Sequence, residues 1–175
     1  NLQNQWGNKK GMIMKVAIVG SRTYTNRKKI KEFIFNLKQK FGKELVVVSG
    51  GQKDGADGYA KKYSLEFNVN YEEYPPQHYN HNIHCVLDAR NYNKPYYVSN
   101  YFKRNKQIAE RCDKMVAFVT DGRITSGTEH VISCAKRLEK KYVIMDWYLY
   151  LYICIYEKGY EVNKINISKN NTRRL

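Results

Sequence analysis

Three short stretches of this chain gather the residue types that bind anions. They are Gly20-Ser21-Arg22-Thr23, then Ser49-Gly50-Gly51-Gln52-Lys53-Asp54-Gly55-Ala56-Asp57, then Thr120-Asp121-Gly122-Arg123-Ile124-Thr125-Ser126-Gly127-Thr128. Glycine lets backbone N–H groups approach a ligand closely, and serine and threonine add hydroxyl donors. Each stretch follows a short apolar run and leads into a helical pattern. Each therefore ends at a helix N-terminus, where free N–H groups and the dipole favour a phosphate. One such stretch is most often an ordinary turn, whereas three in one small domain point to a shared site. Two common phosphate motifs are excluded, because no G-x-G-x-x-G follows the first apolar run and no G-x-x-x-x-G-K-[ST] occurs.

For the three loops to meet, the runs before them must be strands of one sheet. Lys15–Val19 and Leu45–Val48 read as short buried strands, Val69–Tyr74 as a third, and Met115–Val119 and Tyr142–Met145 as two more. Between them lie helical patterns. Asn26 can cap a helix through Phe41, with Ile30, Phe33, Ile34, Leu37 and Phe41 at helical spacing and Gly42 as its stop. Further helices are expected over Asp57–Phe67, Arg104–Cys112 and Thr128–Lys140. This alternation predicts an α/β fold with a parallel sheet and right-handed crossovers, in which ligands bind beyond the carboxyl ends of the strands. Gln77–Asn100 is irregular, polar and aromatic, and longer than ordinary connections, so it reads as a functional or a mobile loop.

The loop also holds four candidate metal ligands: His78, His81 and His84 with Cys85, zinc-ligand types at close spacing. It has no C-x-x-C partner, and surface-loop histidines are the expected reading, with no metal or cofactor. The basic runs at Arg27-Lys28-Lys29 and Lys136-Arg137 to Lys140-Lys141 fit the solvated faces of amphipathic helices.

The formal net charge is +15. That suits a polyanionic partner or a phosphate-bearing ligand. The chain is also rich in Asn, Tyr and Ile, which share A/T-rich codons with Lys, so a phage or low-G+C bacterial origin would raise Lys with no nucleic-acid role. Both readings stand, since basic residues run along the whole chain. Cys85, Cys112, Cys134 and Cys154 are scattered, as expected for reduced thiols in a cytoplasmic protein. No signal-peptide pattern is visible, and the longest apolar run, Trp147–Tyr156, is about half a membrane span. The expected organisation is an extension over 1–13, one domain over 14–146, an extra strand or dimer contact over 147–162, and a flexible basic tail over 163–175. Within it, Leu149–Tyr156 should pair across a subunit boundary, giving a homo-oligomer, or cover the domain's own sheet.

Four ordered motifs, VAIVGSRTY, VVVSGGQKDGADGYAKKY, RNKQIAERCDKMVAFVTDG and SGTEHVISCAKR, resemble the SLOG superfamily over about Lys15–Met145. That superfamily groups the domains of DNA-processing protein A (DprA), the LOG phosphoribohydrolases and YpsA-type proteins, and the likeness is closest to its YspA/cpYpsA-related branch. The resemblance implies a single Rossmann-like doubly wound parallel sheet with helices on both faces, and a pocket for a nucleotide or nucleotide derivative. Carried over by motif, Gly20, Ser21 and Arg22 form a first wall, with Arg22 as a bidentate clamp for phosphate or carboxylate. Gly50, Gly51, Gly55 and Asp57 form the second, Asp57 accepting from ribose hydroxyls or, as the stronger reading, capping its helix. Arg104 and Asn105 match the RN pair, Asn105 reading a base edge or pinning a neighbouring loop. Ser126, Gly127 and Thr128 match the phosphate loop, with His130 just inside. Ser49, Asp121 and Gly122 complete the candidate ligand-binding set.

Two departures matter. Tyr101-Phe102-Lys103 replace small residues usual before the RN pair. The LOG enzymes carry a glutamate three residues after their Gly-Thr; here that position is Val131, with Glu129 and His130 off register. Standard LOG-type hydrolysis is disfavoured, catalytic residues are unassigned and enzyme activity is open. The favoured function is binding of a phosphate-bearing nucleotide derivative, as sensor, sequestering protein or weak nucleotide-processing enzyme. The alternative is a DprA-like protein that binds or processes single-stranded DNA, resting on the charge and on tyrosines able to stack on bases.

Overall fold

The computed structural model describes residues 11–146. The expected extra strand or dimer contact over 147–162, the basic tail and most of the N-terminal extension lie outside the described residues. Within them, five strands alternate with four α-helices: β1 (Met14–Gly20), α1 (Arg27–Phe41), β2 (Leu45–Ser49), α2 (Gly55–Glu66), β3 (Asn70–Glu73), α3 (Ser99–Arg111), β4 (Lys114–Val119), α4 (Ser126–Arg137) and β5 (Lys141–Asp146).

The strands form one parallel sheet in the order β3-β2-β1-β4-β5. Central strands of such a sheet face helices on both sides, which is why β2 and β4 are buried along their whole length. The core splits accordingly. Ile30, Ile34 and Leu37 of α1 and Ala60 and Tyr63 of α2 pack on Val16, Ile18, Val47 and Phe118. On the opposite face, Ile108 and Ala109 of α3 and Val131 and Ala135 of α4 pack on Ala17, Val48, Met115 and Ala117. The chain runs outward from β1 in one direction through β2 and β3, then crosses back to β4 and runs outward in the other. Between β1 and β4 the connections diverge, leaving a crevice at the carboxyl ends.

Asn26 caps α1 as expected, its Oδ1 accepting from the Lys29 N–H at 3.1 Å, and the Gly42 N–H closes the helix on the Lys38 carbonyl. The largest difference from expectation is α3, which begins at Ser99, five residues before Arg104. The irregular segment before it is stitched down, with no sign of a free loop. Glu73 N–H donates to the His84 carbonyl at 2.9 Å, Val86 N–H to that of Glu73 at 3.2 Å, and Asn93 and Lys94 N–H to those of Tyr79 and Gln77. It thereby covers the short edge strand β3. Beneath it, the buried Glu73 carboxylate accepts from Tyr71 Oη, Lys61 Nζ and Asn82 Nδ2. Among the described residues no helix is long and apolar enough to cross a membrane.

Candidate functional site

A cavity of about 460 Å³ opens at the crevice between β1 and β4. That size lies within the range of small-molecule sites. All three loops contribute to it, but unequally.

From the first loop, Gly20, Ser21, Arg22 and Thr23 line the cavity. Ser21 is the anchor of this loop. Its N–H donates to the Phe118 carbonyl at 3.3 Å, its carbonyl accepts from Tyr24 and Ala56 N–H, both at 3.2 Å, and its Oγ meets Thr23 Oγ1 at 2.8 Å. Arg22, by contrast, is exposed, and its guanidinium carbon stands 5.4 Å from the centroid of the Tyr101 ring.

The second loop is held from behind. Arg104 Nη1 donates to the Gly50 carbonyl at 2.7 Å and lies 3.9 Å from Asp57 Oδ2, both side chains being nearly buried. A Cβ on Gly50 would sit 2.0 Å from that nitrogen, so glycine is required for the arginine to reach the backbone. Gly55 has φ of 67°, and a Cβ there would meet the Ser21 carbonyl oxygen at 2.1 Å, which locks the second loop to the first. Asp57 does not cap α2: Asp54 holds that position, and the Asp57 carboxylate faces the N–H groups of Gly50 and Gln52. Burial pushes its carboxyl above the usual range, with Arg104 and the two N–H groups pulling it back. Burial likewise pulls the Arg104 guanidinium down, against the attraction of Asp57. Asp57 and Arg104 line the cavity; Ser49, Gly50, Gly51 and Gly55 do not. Ser49 turns away and shares a 2.7 Å hydrogen bond with Tyr71 Oη.

In the third loop Thr125 caps α4, its Oγ1 accepting from Thr128 N–H at 3.4 Å. Ser126 and Gly127 occupy the first turn, and no described residue accepts from their N–H groups. Thr125–Thr128 line the cavity, while Asp121 and Gly122 form an exposed turn outside it, closed by Arg123 N–H on the Thr120 carbonyl at 3.0 Å. Asn105 takes the loop-pinning role, Nδ2 donating to the Gly127 carbonyl at 3.1 Å and lying 3.3 Å from His130 Nδ1. His130 itself is outside the cavity lining and packs edge-on against Phe102 at 4.7 Å.

The apolar part of the opposite wall was not anticipated, whereas Asn105 within it was. Val98, Tyr101, Phe102, Asn105 and Ile108 of the α3 region line the cavity together with Val131. Their spacing of three to four residues is that of one helix face, a signal legible in the sequence once the helix is started at Ser99. Val131, at the position where LOG enzymes carry glutamate, is an apolar part of this wall, whereas Glu129 is exposed. The histidines do not converge. His78 packs edge-on to Tyr79, Tyr96 and Tyr101, His84 against Tyr71 and His81 against Tyr92. Among the described residues no group of three or more His, Cys, Asp or Glu could hold a metal ion.

Comparison with known proteins agrees with this architecture. Residues 14–81 match the family model of the YspA, cpYpsA-related SLOG family. No curated protein matches the chain in sequence. Among solved structures it is similar to a molybdenum cofactor binding protein from the phototrophic bacterium Rippkaea orientalis, at 14% identity and a TM-score of 0.57 over 78% of each chain. It is also similar to the molybdenum cofactor carrier protein MCP from Chlamydomonas reinhardtii, at 16% identity and a TM-score of 0.54 over 75% of this chain and 76% of that one. At such identities the likeness is one of fold.

Proposed function

We propose that this chain, a SLOG-superfamily protein by its ordered motifs and the family match over residues 14–81, binds a phosphate-bearing nucleotide or nucleotide derivative in the β1–β4 cavity. The observation that carries the reading is the cavity's mixed lining. It offers Arg22, the Ser126 and Thr128 hydroxyls and the first turn of α4, all suited to an anion. It also offers Val98, Tyr101, Phe102, Ile108 and Val131, suited to a flat apolar ring. That the two similar structures are of a binding protein and a carrier protein supports a role in holding a small molecule. The apolar Val131 supports holding over hydrolysis. On this reading the protein is a sensor or sequestering protein, and the positive charge of the chain adds a nonspecific attraction for polyanions.

Mass spectrometry of small molecules released from the purified protein tests the proposal. A phosphate-bearing species with a heteroaromatic ring is the expected result. No such species, together with no heat of binding for any common ribonucleotide, would remove it.

A further inference from the structure

Among the described residues, Tyr101 is the one aromatic ring of the cavity wall that carries a cation from the loop after β1. Arg22 comes from the loop after β1 and Tyr101 from α3, and both line the cavity. The ring is braced from the segment before α3, with His78 edge-on at 5.3 Å and Tyr96 at 6.4 Å. A second cation, Arg104, stands 5.8 Å from the same ring, but it is tied to the Gly50 carbonyl and to Asn105 Oδ1. Arg22 has no such tie. Among the described residues its side chain makes no hydrogen bond or ion pair; it stands over the Tyr101 ring, with the Arg104 charge repelling it and the Tyr79 hydroxyl within its field.

We propose that Arg22 and a ligand's ring compete for the face of Tyr101, and that the ligand's phosphate resolves the competition by drawing Arg22 away. One ring face cannot hold a guanidinium and a stacked heteroaromatic ring together. A phosphate offers Arg22 a stronger, bidentate partner than an aromatic face does. The site therefore selects molecules in which a phosphate and a planar ring are joined, and it discriminates against the same ring without phosphate. Arg22 is a specificity-determining residue with two opposite effects. It attracts the phosphorylated ligand and repels the unphosphorylated one. The inference rests on the reading of this cavity as a nucleotide site.

The test is isothermal titration of wild-type protein and variants with the four ribonucleoside 5′-monophosphates and the matching nucleosides. Arg22→Ala should weaken the bound monophosphate by roughly ten- to a hundredfold, the loss expected for a charge-assisted hydrogen-bonded pair. The same variant should bind the nucleoside about threefold more tightly than wild type, because an exposed cation–π contact is worth about that factor. In the double variant Arg22→Ala, Tyr101→Leu the nucleoside gain should vanish, while Tyr101→Phe alone should behave as wild type. Arg22 is exposed, so its removal leaves the fold intact. If a monophosphate binds wild type but Arg22→Ala leaves nucleoside affinity unchanged or lower, the competition is refuted and the nucleotide site survives. If no monophosphate binds wild type, the nucleotide site itself falls and the competition with it.

Discussion

Arg104 donates from Nη1 to the carbonyl oxygen of Gly50 at 2.7 Å, joining α3 on one face of the sheet to the loop that leaves β2. The next residue, Asn105, reaches the Gly127 carbonyl at the start of α4 at 3.1 Å. Two consecutive side chains of one helix thus hold the second and third loops around the cavity. Their partners are backbone carbonyls, so the tie does not depend on the side chains those loops carry. The cost is a buried guanidinium, offset by Asp57.

That pairing predicts a pH dependence. The folded state holds the Asp57 proton better than the unfolded chain does, because burial raises its carboxyl. Its contribution is therefore full below the unfolded value of about 3.9 and is lost as pH rises through the folded value. Arg104 is the largest influence opposing that rise. Arg104→Met should raise the Asp57 carboxyl further, widen the window and destabilise the fold by about 3 kcal/mol at neutral pH. Urea titrations should show a larger loss near about pH 8 than near about pH 4.5. An equal loss at both would mean that the carboxyl does not sense Arg104.

Two glycines of the loops should answer differently to alanine. Gly55→Ala forces a side chain into positive φ and against the Ser21 carbonyl; it should cost at least about 2 kcal/mol. Nothing lies within 4 Å of a Cβ built on Gly127, which sits in the first turn of α4. Gly127→Ala should therefore be neutral or stabilising by up to about 1 kcal/mol. Thermal unfolding of the two variants checks the contrast, and matching melting temperatures would contradict it.

Salt separates ligand binding from nonspecific attraction. A chain of net charge +15 should bind single-stranded DNA through counterion release. That binding should fall by orders of magnitude between roughly 50 and 200 mM salt. Nucleotide binding, which uses few phosphate contacts, should persist. Arg22→Ala should weaken the nucleotide by roughly ten- to a hundredfold and barely alter the DNA. Tight DNA binding at the higher salt, lost in Arg22→Ala, would replace the small-molecule reading with the DNA-processing one.

The apolar Val131 predicts that AMP stays intact on incubation with the protein. Chromatography of the mixture should show no free adenine. Release of adenine by wild type, abolished in Glu129→Ala, would show that the exposed carboxylate acts after all.

Strand and helix order was legible because it is written in local patterns: continuous apolar runs at Val16–Val19 and Leu45–Val48, a helical stripe at Ile30, Ile34 and Leu37, and the Asn26 cap. The three loops followed from it, since a run ending in glycine and hydroxyls marks the end of a strand. Gly20, Ser21, Arg22, Asp57, Arg104, Asn105 and Ser126–Thr128 do line the cavity. The aromatic wall becomes legible only once α3 is started at Ser99. Helix α3 starts without a side-chain cap, and its first turns turn Tyr101 and Phe102 toward the cavity and its rim while Asn100 is buried on hydrogen bonds to Pro95 and His78. A periodicity search for core residues therefore finds no stripe before Ile108. The roles inside the site were also beyond local reading. Whether Asp57 caps its own helix or faces Arg104 depends on a residue 47 positions away, brought there by the crossover from β3 to β4. Residue types follow from the chain, but which carboxylate is buried, which arginine is tied and which is free follow from packing between segments distant in sequence.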